Sequence, residues 1–228
     1  GIFIDNAMDL VEVHIPPIND GDIQRRITKA QSFLNRMGLT SAHDAGTSQL
    51  EISILKNMAN KGDLSIRIFT MLHNNRDDYD SFLSIGPEAE DPFLKVQALK
   101  IYMDGALGSR GAALLEPYSD DPGNFGLLRT EVPDLAALVK TFNAAGFQVN
   151  THGIGDRAIR LILDMYEQHA DPALRNRIEH AQNIHKDDIP RFKELGVIPS
   201  MQATHCTSDM YWADERLGDA RLHEAYPW

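Results

Sequence analysis

Lys100-Ile101-Tyr102-Met103-Asp104-Gly105, Thr151-His152-Gly153-Ile154-Gly155-Asp156 and Arg177-Ile178-Glu179-His180-Ala181-Gln182 are three stretches of one kind. Each reads as a short run of strand formers passing into a turn, with a lysine or histidine where strand becomes turn. A parallel sheet whose strands all end on the same side would gather three such side chains in one place. The rest of the chain therefore has to be read for the helices that return it between parallel strands.

Those helices are present. Residues 21–37 carry Ile23, Ile27, Ala30, Phe33, Leu34 and Met37 at helical spacing and stop at Gly38, after which 39–46 reads as a strand containing His43 and Asp44. Helix 48–61 gives way at Gly62-Asp63 to strand 64–72, and helix 76–85 to strand 96–103. Helix 134–145 lies between Pro133 and Gly146 and presents Leu135, Leu138, Val139 and Phe142 on one face. Strand 147–152, helix 156–169, strand 177–180, helix 187–195 and strand 197–202 complete the series. Strict β/α alternation predicts a parallel sheet with helical crossovers.

No G-x-G-x-x-G or P-loop accompanies the first strand, which argues against a doubly wound nucleotide-binding sheet. Titratable residues instead sit near the ends of several strands: His43, Asp44, Lys100, Asp104, His152, His180 and His205. That distribution is expected of a (β/α)8 TIM-type barrel, whose active site draws on the C-terminal ends of many strands. Six strands are too few for such a barrel, which takes about 250 residues. The expectation is an incomplete barrel, and open sheet edges would favour association, including a homo-oligomer.

Composition narrows the function classes. A chain of 228 residues, 43% hydrophobic and 24% charged, supports a substantial core. The formal charge of −11, with basic residues scattered among acidic ones, excludes a nucleic-acid partner. One cysteine, Cys206, excludes an internal disulfide and a cysteine-rich metal cluster. No apolar run approaches the roughly 18 residues of a membrane span. The opening Gly1-Ile2-Phe3 reads as mid-sequence, so no compartment can be taken from it; the cytoplasm stands as the default expectation.

The segment from Lys100 to Leu114, the run Pro117-Tyr118-Ser119-Asp120-Asp121-Pro122-Gly123-Asn124, Thr151 to Ala158, Arg177 to Gln182 and Ser200 to Met210 together resemble the amidohydrolase superfamily. Within it they are similar to the amidohydrolase-3 branch, which includes YtcJ-like proteins and N-substituted formamide deformylase. The resemblance runs from about Asp5 to Trp228. It implies a metal-dependent hydrolase that cleaves a C–N bond of a small molecule, an amide, formamide or related group. It also implies that residues 1–228 form the central part of the barrel domain, without the family's β-sandwich or its first and last barrel strands.

The family's metal set is an H-x-H pair on the first strand, a commonly carboxylated lysine, two further histidines and an aspartate on the last strand. Carried over by motif, the lysine is Lys100 and the histidines are His152 and His180; no two histidines here stand two residues apart, and the aspartate would lie beyond Trp228. One or two zinc or similar divalent ions are implied as cofactor, with the chain alone expected to bind them weakly and to lack turnover. The chemistry suits the residue types. Burial lowers a lysine pKa until its neutral amine can capture carbon dioxide as a carbamate, and neutral imidazoles ligate zinc, whose bound water becomes a nucleophile near neutral pH.

Bland readings stand beside these. An isolated strand-end lysine is most often a salt-bridge partner, here of Asp104, and an isolated histidine a core or surface residue. Asp156 reads first as a helix cap, Glu179 as structural on the opposite face from His180, and His14, His73, His169, His185 and His223 as solvated. Asp104, Arg110, Gln202 and His205 are taken as substrate contacts, Arg110 for a carboxylate. The Gly105, Gly108 and Gly111 segment reads as a flexible substrate-facing loop. Two other functions remain open: a Schiff-base lyase or aldolase using Lys100, and a barrel that binds a ligand without catalysis.

Overall fold

The computed structural model describes residues 2–3, 5–16 and 18–225. A short helix α1 (Asp9–Glu12) precedes the alternation α2 (Asp20–Arg36), β1 (Ser41–Thr47), α3 (Gln49–Lys61), β2 (Arg67–Leu72), α4 (Arg76–Ile85) and β3 (Leu94–Tyr102). It continues with α5 (Val132–Ala144), β4 (Gln148–Gly153), α6 (Asp156–His169), β5 (Arg177–His180), α7 (Ile189–Glu194) and β6 (Ile198–Met201). Two short helices follow, α8 (His205–Ser208) and α9 (Ala213–Leu217). The six strands form one sheet in chain order, and the pairings β1–β2, β2–β3, β4–β5 and β5–β6 are all parallel. All six expected strands are found, with ends shifted by a few residues.

The fold divides into two compact units, the first Val13–Lys100 with Ala144–Gln148, the second Gly1–Glu12 with Ile101–Asn143 and Val149–Trp228. In the first, the helices are set by their caps. Ser48 accepts from Glu51 N while Glu51 returns to Ser48 N, a capping box that starts α3, and Gly62 ends it at φ 74°. Asn19 and Asn75 cap α2 and α4 in the same way through Asp22 N and Asp77 N. Strand β3 buries both faces, through Val96, Ala98, Leu99 and Lys100, as a central parallel strand does. Strand β1 is different: only its last residue, Thr47, is buried.

In the second unit the β3–α5 connection is long and packed. Leu107, Ala112, Leu114 and Tyr118 join Ile154, Leu217 and Ala225 in a core cluster against which Trp212 packs. Gly105 and Gly111 bond to each other across the turn, and Trp212 lies 3.2 Å from where a Cβ on Gly108 would stand. The flexible loop expected at 105–111 is therefore a pinned one, because α9 and its flanks clamp it: Arg216 donates to Gly108 O and Arg221 to Pro117 O. On the far side, Asn143 and Asn176 exchange amide hydrogen bonds at 3.0 Å while Asn176 takes Val149 N, which fixes how β4 begins beside β5. The Tyr166 hydroxyl of α6 adds bonds to Val149 O and Arg177 O.

Candidate metal centre

His152 is the penultimate residue of β4 and His180 the last of β5. The register places His180 beside Gly153, so the two imidazoles come from neighbouring strand ends. Their rings meet edge to face with centroids 4.5 Å apart. Glycine at 153 lets α6 pack close to this strand end, since a Cβ there would press on Ile162 Cδ1 at 2.7 Å and on Ile178 Cγ2 at 3.2 Å. His180 and Ala181 both take left-handed backbone, φ 73° and 44°. That conformation is costly outside glycine and occurs where surrounding structure imposes a special geometry, as at binding sites.

The four residues expected to touch substrate all have partners within the chain. Asp104 is fully buried: Oδ2 accepts from Ala113 N at 2.9 Å and Gly155 N at 2.8 Å, and Oδ1 from Ile154 N at 3.1 Å. Its role is to tie the turn after β4 to the 111–115 segment, and it stands 3.4 Å from His152 Nε2, where it orients the ring. Arg110 holds an internal carboxylate, Asp120, at 2.7 and 3.1 Å, and that hydrogen bond keeps the Asp120 carboxyl below its ordinary value. Gln202 sits between His180 Nδ1 (2.5 Å) and His205 Nε2 (2.9 Å), so both Gln202 and His205 are joined to the histidine pair rather than held apart from it.

The remaining expectations sort by environment. Lys100 is buried at 2% exposure at the end of the first unit, whereas the two histidines belong to the second. His43 and Asp44 are exposed within β1, His43 stacked on Phe69. Glu179 is structural, gripped by Arg177, which also bonds Ser200. Asp156 follows the cap position rather than filling it; Gly155 is the cap, and Asp156 Oδ1 accepts from Leu115 N and Arg157 N. Burial pushes the Asp156 carboxyl above its ordinary value. His14, His73, His169 and His223 are exposed, but His185 is half-buried and meets Arg160. Sequence reading missed Asp209, whose carboxylate lies 3.0 Å from His205 Nδ1; the i,i+4 spacing of the two was the available signal. It also missed Tyr102, 5.6 Å from the His152 ring, with Arg129 over its face.

Comparison with known proteins places this geometry. The family model described as the amidohydrolase family matches residues 1–228. This chain belongs to the amidohydrolase family. Among curated relatives, this amidohydrolase chain is 29% identical to YtcJ of Bacillus subtilis (strain 168) over 234 residues, 100% of this chain and 44% of that one. It is also 29% identical to LONG AFTER FAR-RED 3 of Arabidopsis thaliana, over 99% of this chain and 42% of that one. It thus spans less than half the length of these relatives. Among solved structures, it superposes with a TM-score of 0.86 on an uncharacterized metal-dependent hydrolase from Pyrococcus horikoshii OT3, at 29% identity over 97% of this chain and 45% of that one. A metal-dependent hydrolase from Pyrococcus furiosus gives the same TM-score at 27% identity, over 97% of this chain and 47% of that one. The fold is accordingly that of an amidohydrolase barrel, of which these six strands are part.

The donor chemistry present suits a divalent ion in part. Two imidazoles at adjacent strand ends are good ligands for zinc and its neighbours. Among the described residues, no group of three or more histidine, cysteine, aspartate and glutamate side chains could hold an ion. A lysine-derived carbamate would supply the oxygen donor that a pair of histidines lacks. Among the described residues, no helix is long and apolar enough to cross a membrane.

Proposed function

We propose that this amidohydrolase chain carries part of the centre of a metal-dependent hydrolase that cleaves a C–N bond of a small molecule, an amide, formamide or related group. His152 and His180 are its imidazole ligands and Lys100, as a carbamate, its oxygen ligand. One observation carries the reading: two imidazoles 4.5 Å apart on adjacent strand ends, one of them on a left-handed residue. A bound zinc-type ion would supply a water acidic enough to act as hydroxide and would polarise the scissile carbonyl.

The chain's own residues do the positioning. Asp104 orients His152 from beneath the substrate space, and the packed 104–118 segment gives that space a fixed wall. The Tyr102 ring beside His152, with Arg129 over it, offers a flat surface for the acyl or amine part of a substrate.

Metal titration tests the reading. Purified chain in bicarbonate buffer is titrated with zinc or cobalt, against His152→Ala and His180→Ala, and carbon-13 bicarbonate reports a Lys100 carbamate by its carbonyl resonance. Equal uptake by wild type and both variants would remove the two histidines from the ligand set. Borohydride trapping of a carbonyl compound on Lys100 would favour the Schiff-base alternative. The expected outcome is weak uptake that both variants abolish, no trapping, and no appreciable turnover of N-formyl or N-acyl amines by these 228 residues alone.

A further inference from the structure

The carboxylate contact expected of Arg110 goes to Asp120 within the chain, and a different guanidinium stands beside the histidines. Arg129 places its Cζ over the Tyr102 ring, 5.1 Å from the centroid. The Tyr102 ring lies 5.6 Å from the ring of His152 at an angle of 43°, and His152 meets His180 at 4.5 Å. Guanidinium, phenol ring and histidine pair are thus successive neighbours, from the exit of β3 to the ends of β4 and β5.

The backbone fixes this series. Arg129 N donates to Met103 O at 2.8 Å, Thr130 Oγ1 donates to Tyr102 O at 2.7 Å, and Leu128 makes an antiparallel bridge with Asp104. Met103 N donates to His152 O at 3.0 Å, so the strand exit to which Arg129 is laced is itself bonded to the histidine's own residue. With its backbone anchored and its head against a ring, Arg129 has less rotamer freedom to lose on taking a ligand than an unsupported surface arginine has.

The chemistry of the pair selects the ligand. An aromatic face attracts the cation, while the five N–H donors of a guanidinium lie in its own plane as a fork that matches the two oxygens of a carboxylate. Contact with Tyr102 and a bidentate carboxylate are therefore compatible. An anion held there would lay the atoms that join it to the scissile carbonyl along the Tyr102 ring, toward His152.

We propose that Arg129 is a specificity residue that receives a carboxylate of the substrate, so that the preferred substrates are N-acyl amino acids and similar amides with one carboxylate close to the scissile bond. The proposal rests on the reading of His152 and His180 as part of a hydrolase centre and adds to it the charge of the substrate. It moves the carboxylate contact from Arg110, which serves the fold, to Arg129.

The test is binding, which needs neither metal nor turnover. N-acetylglycine and its uncharged amide, N-acetylglycinamide, differ only in the terminal group, and each is titrated into the metal-free chain at low salt while the Tyr102 and His152 ring protons are followed by NMR. N-acetylglycine should bind about 5- to 10-fold more tightly, an advantage that shrinks as salt is raised. Its methyl group should show cross-relaxation with the His152 ring protons. Arg129→Gln should abolish the advantage, and Arg129→Lys should keep part of it, as a point charge without the fork. If Arg129→Gln does not fold, Arg129→Met takes its place and keeps the apolar stem. Equal affinity of wild type for the two probes, or an advantage that survives in the folded Gln or Met variant, overturns the proposal. So does an advantage that depends on Arg129 without cross-relaxation to His152, which would mark an adventitious surface ion pair. If metal titration removes the two histidines from the ligand set while both binding results hold, it is the hydrolase reading that fails, and the carboxylate site at Arg129 stands.

Discussion

Strands β1 and β4 each carry a histidine, only the second of them within a family motif, and the structure treats the two in opposite ways. Strand β4 is buried from Val149 to Gly153, and its histidine stands among a buried carboxylate, a second imidazole and a tyrosine ring. In β1 the histidine and aspartate are exposed, and the preceding helix α2 and its capping residue leave Phe33 at 55% and Met37 at 66% exposure. A titratable side chain at a strand end becomes a candidate ligand only when neighbouring elements restrict its orientation. The difference lies in what surrounds the strand, and single-strand patterns do not record it.

The comparison can be broken most forcefully at Asp104. Asp104→Ala leaves the amides of Ala113, Ile154 and Gly155 without their acceptor, and at about 1–3 kcal/mol for each buried unsatisfied group the loss should exceed about 3 kcal/mol. Urea unfolding measures it, and a loss below about 1 kcal/mol would mean that this carboxylate does not organise the β4 end. Gly155→Ala should cost about 3 kcal/mol by the same measurement, because the added Cβ would stand 2.0 Å from Ala113 O, a backbone atom with little room to yield. His43→Ala, in the exposed strand, should change stability by about 0.5 kcal/mol or less despite its stacking on Phe69. A larger effect there would erase the contrast between the two strands.

The smallest effect is a pH dependence. Burial raises the Asp156 carboxyl above its ordinary 3.8, so the folded state binds that proton more readily than the unfolded chain. Its contribution is therefore favourable below 3.8 and is lost as pH rises through the raised folded value. Asp156→Asn, which cannot ionise, should show a flatter stability curve over that interval, read from thermal midpoints in a pH series. A curve as steep as wild type would assign the dependence to another group.

The fold was legible because alternation is a local signal: α4, α6 and β5 have the expected bounds, and the caps at Ser48 and Asn75 lie where side-chain chemistry puts them. His152 and His180 could be picked by their place at strand ends and by motif. The fates of Asp104 and Arg110 could not, because both depend on segments that come together only in three dimensions. Asp104 is claimed by amides 9, 50 and 51 positions away, and Arg110 by Asp120 across a folded-back loop. Asp209 was within reach of a helical-spacing argument, but α8 is a four-residue helix with no periodicity to announce it.

The left-handed pair at His180 and Ala181 has an evolutionary consequence. Glycine is the residue that adopts this backbone without penalty, and one nucleotide change converts many alanine codons to glycine codons, so the easier residue at 181 is close at hand. A glycine there would relax the turn and let it sample many shapes. With alanine, the conformation is tolerated only while Asn183 N holds Ile154 O and Gln182 holds Asp209, so the direction of the His180 side chain is inherited from its neighbours. Drift at those neighbours would then be felt at the histidine before any residue of the strand itself had changed.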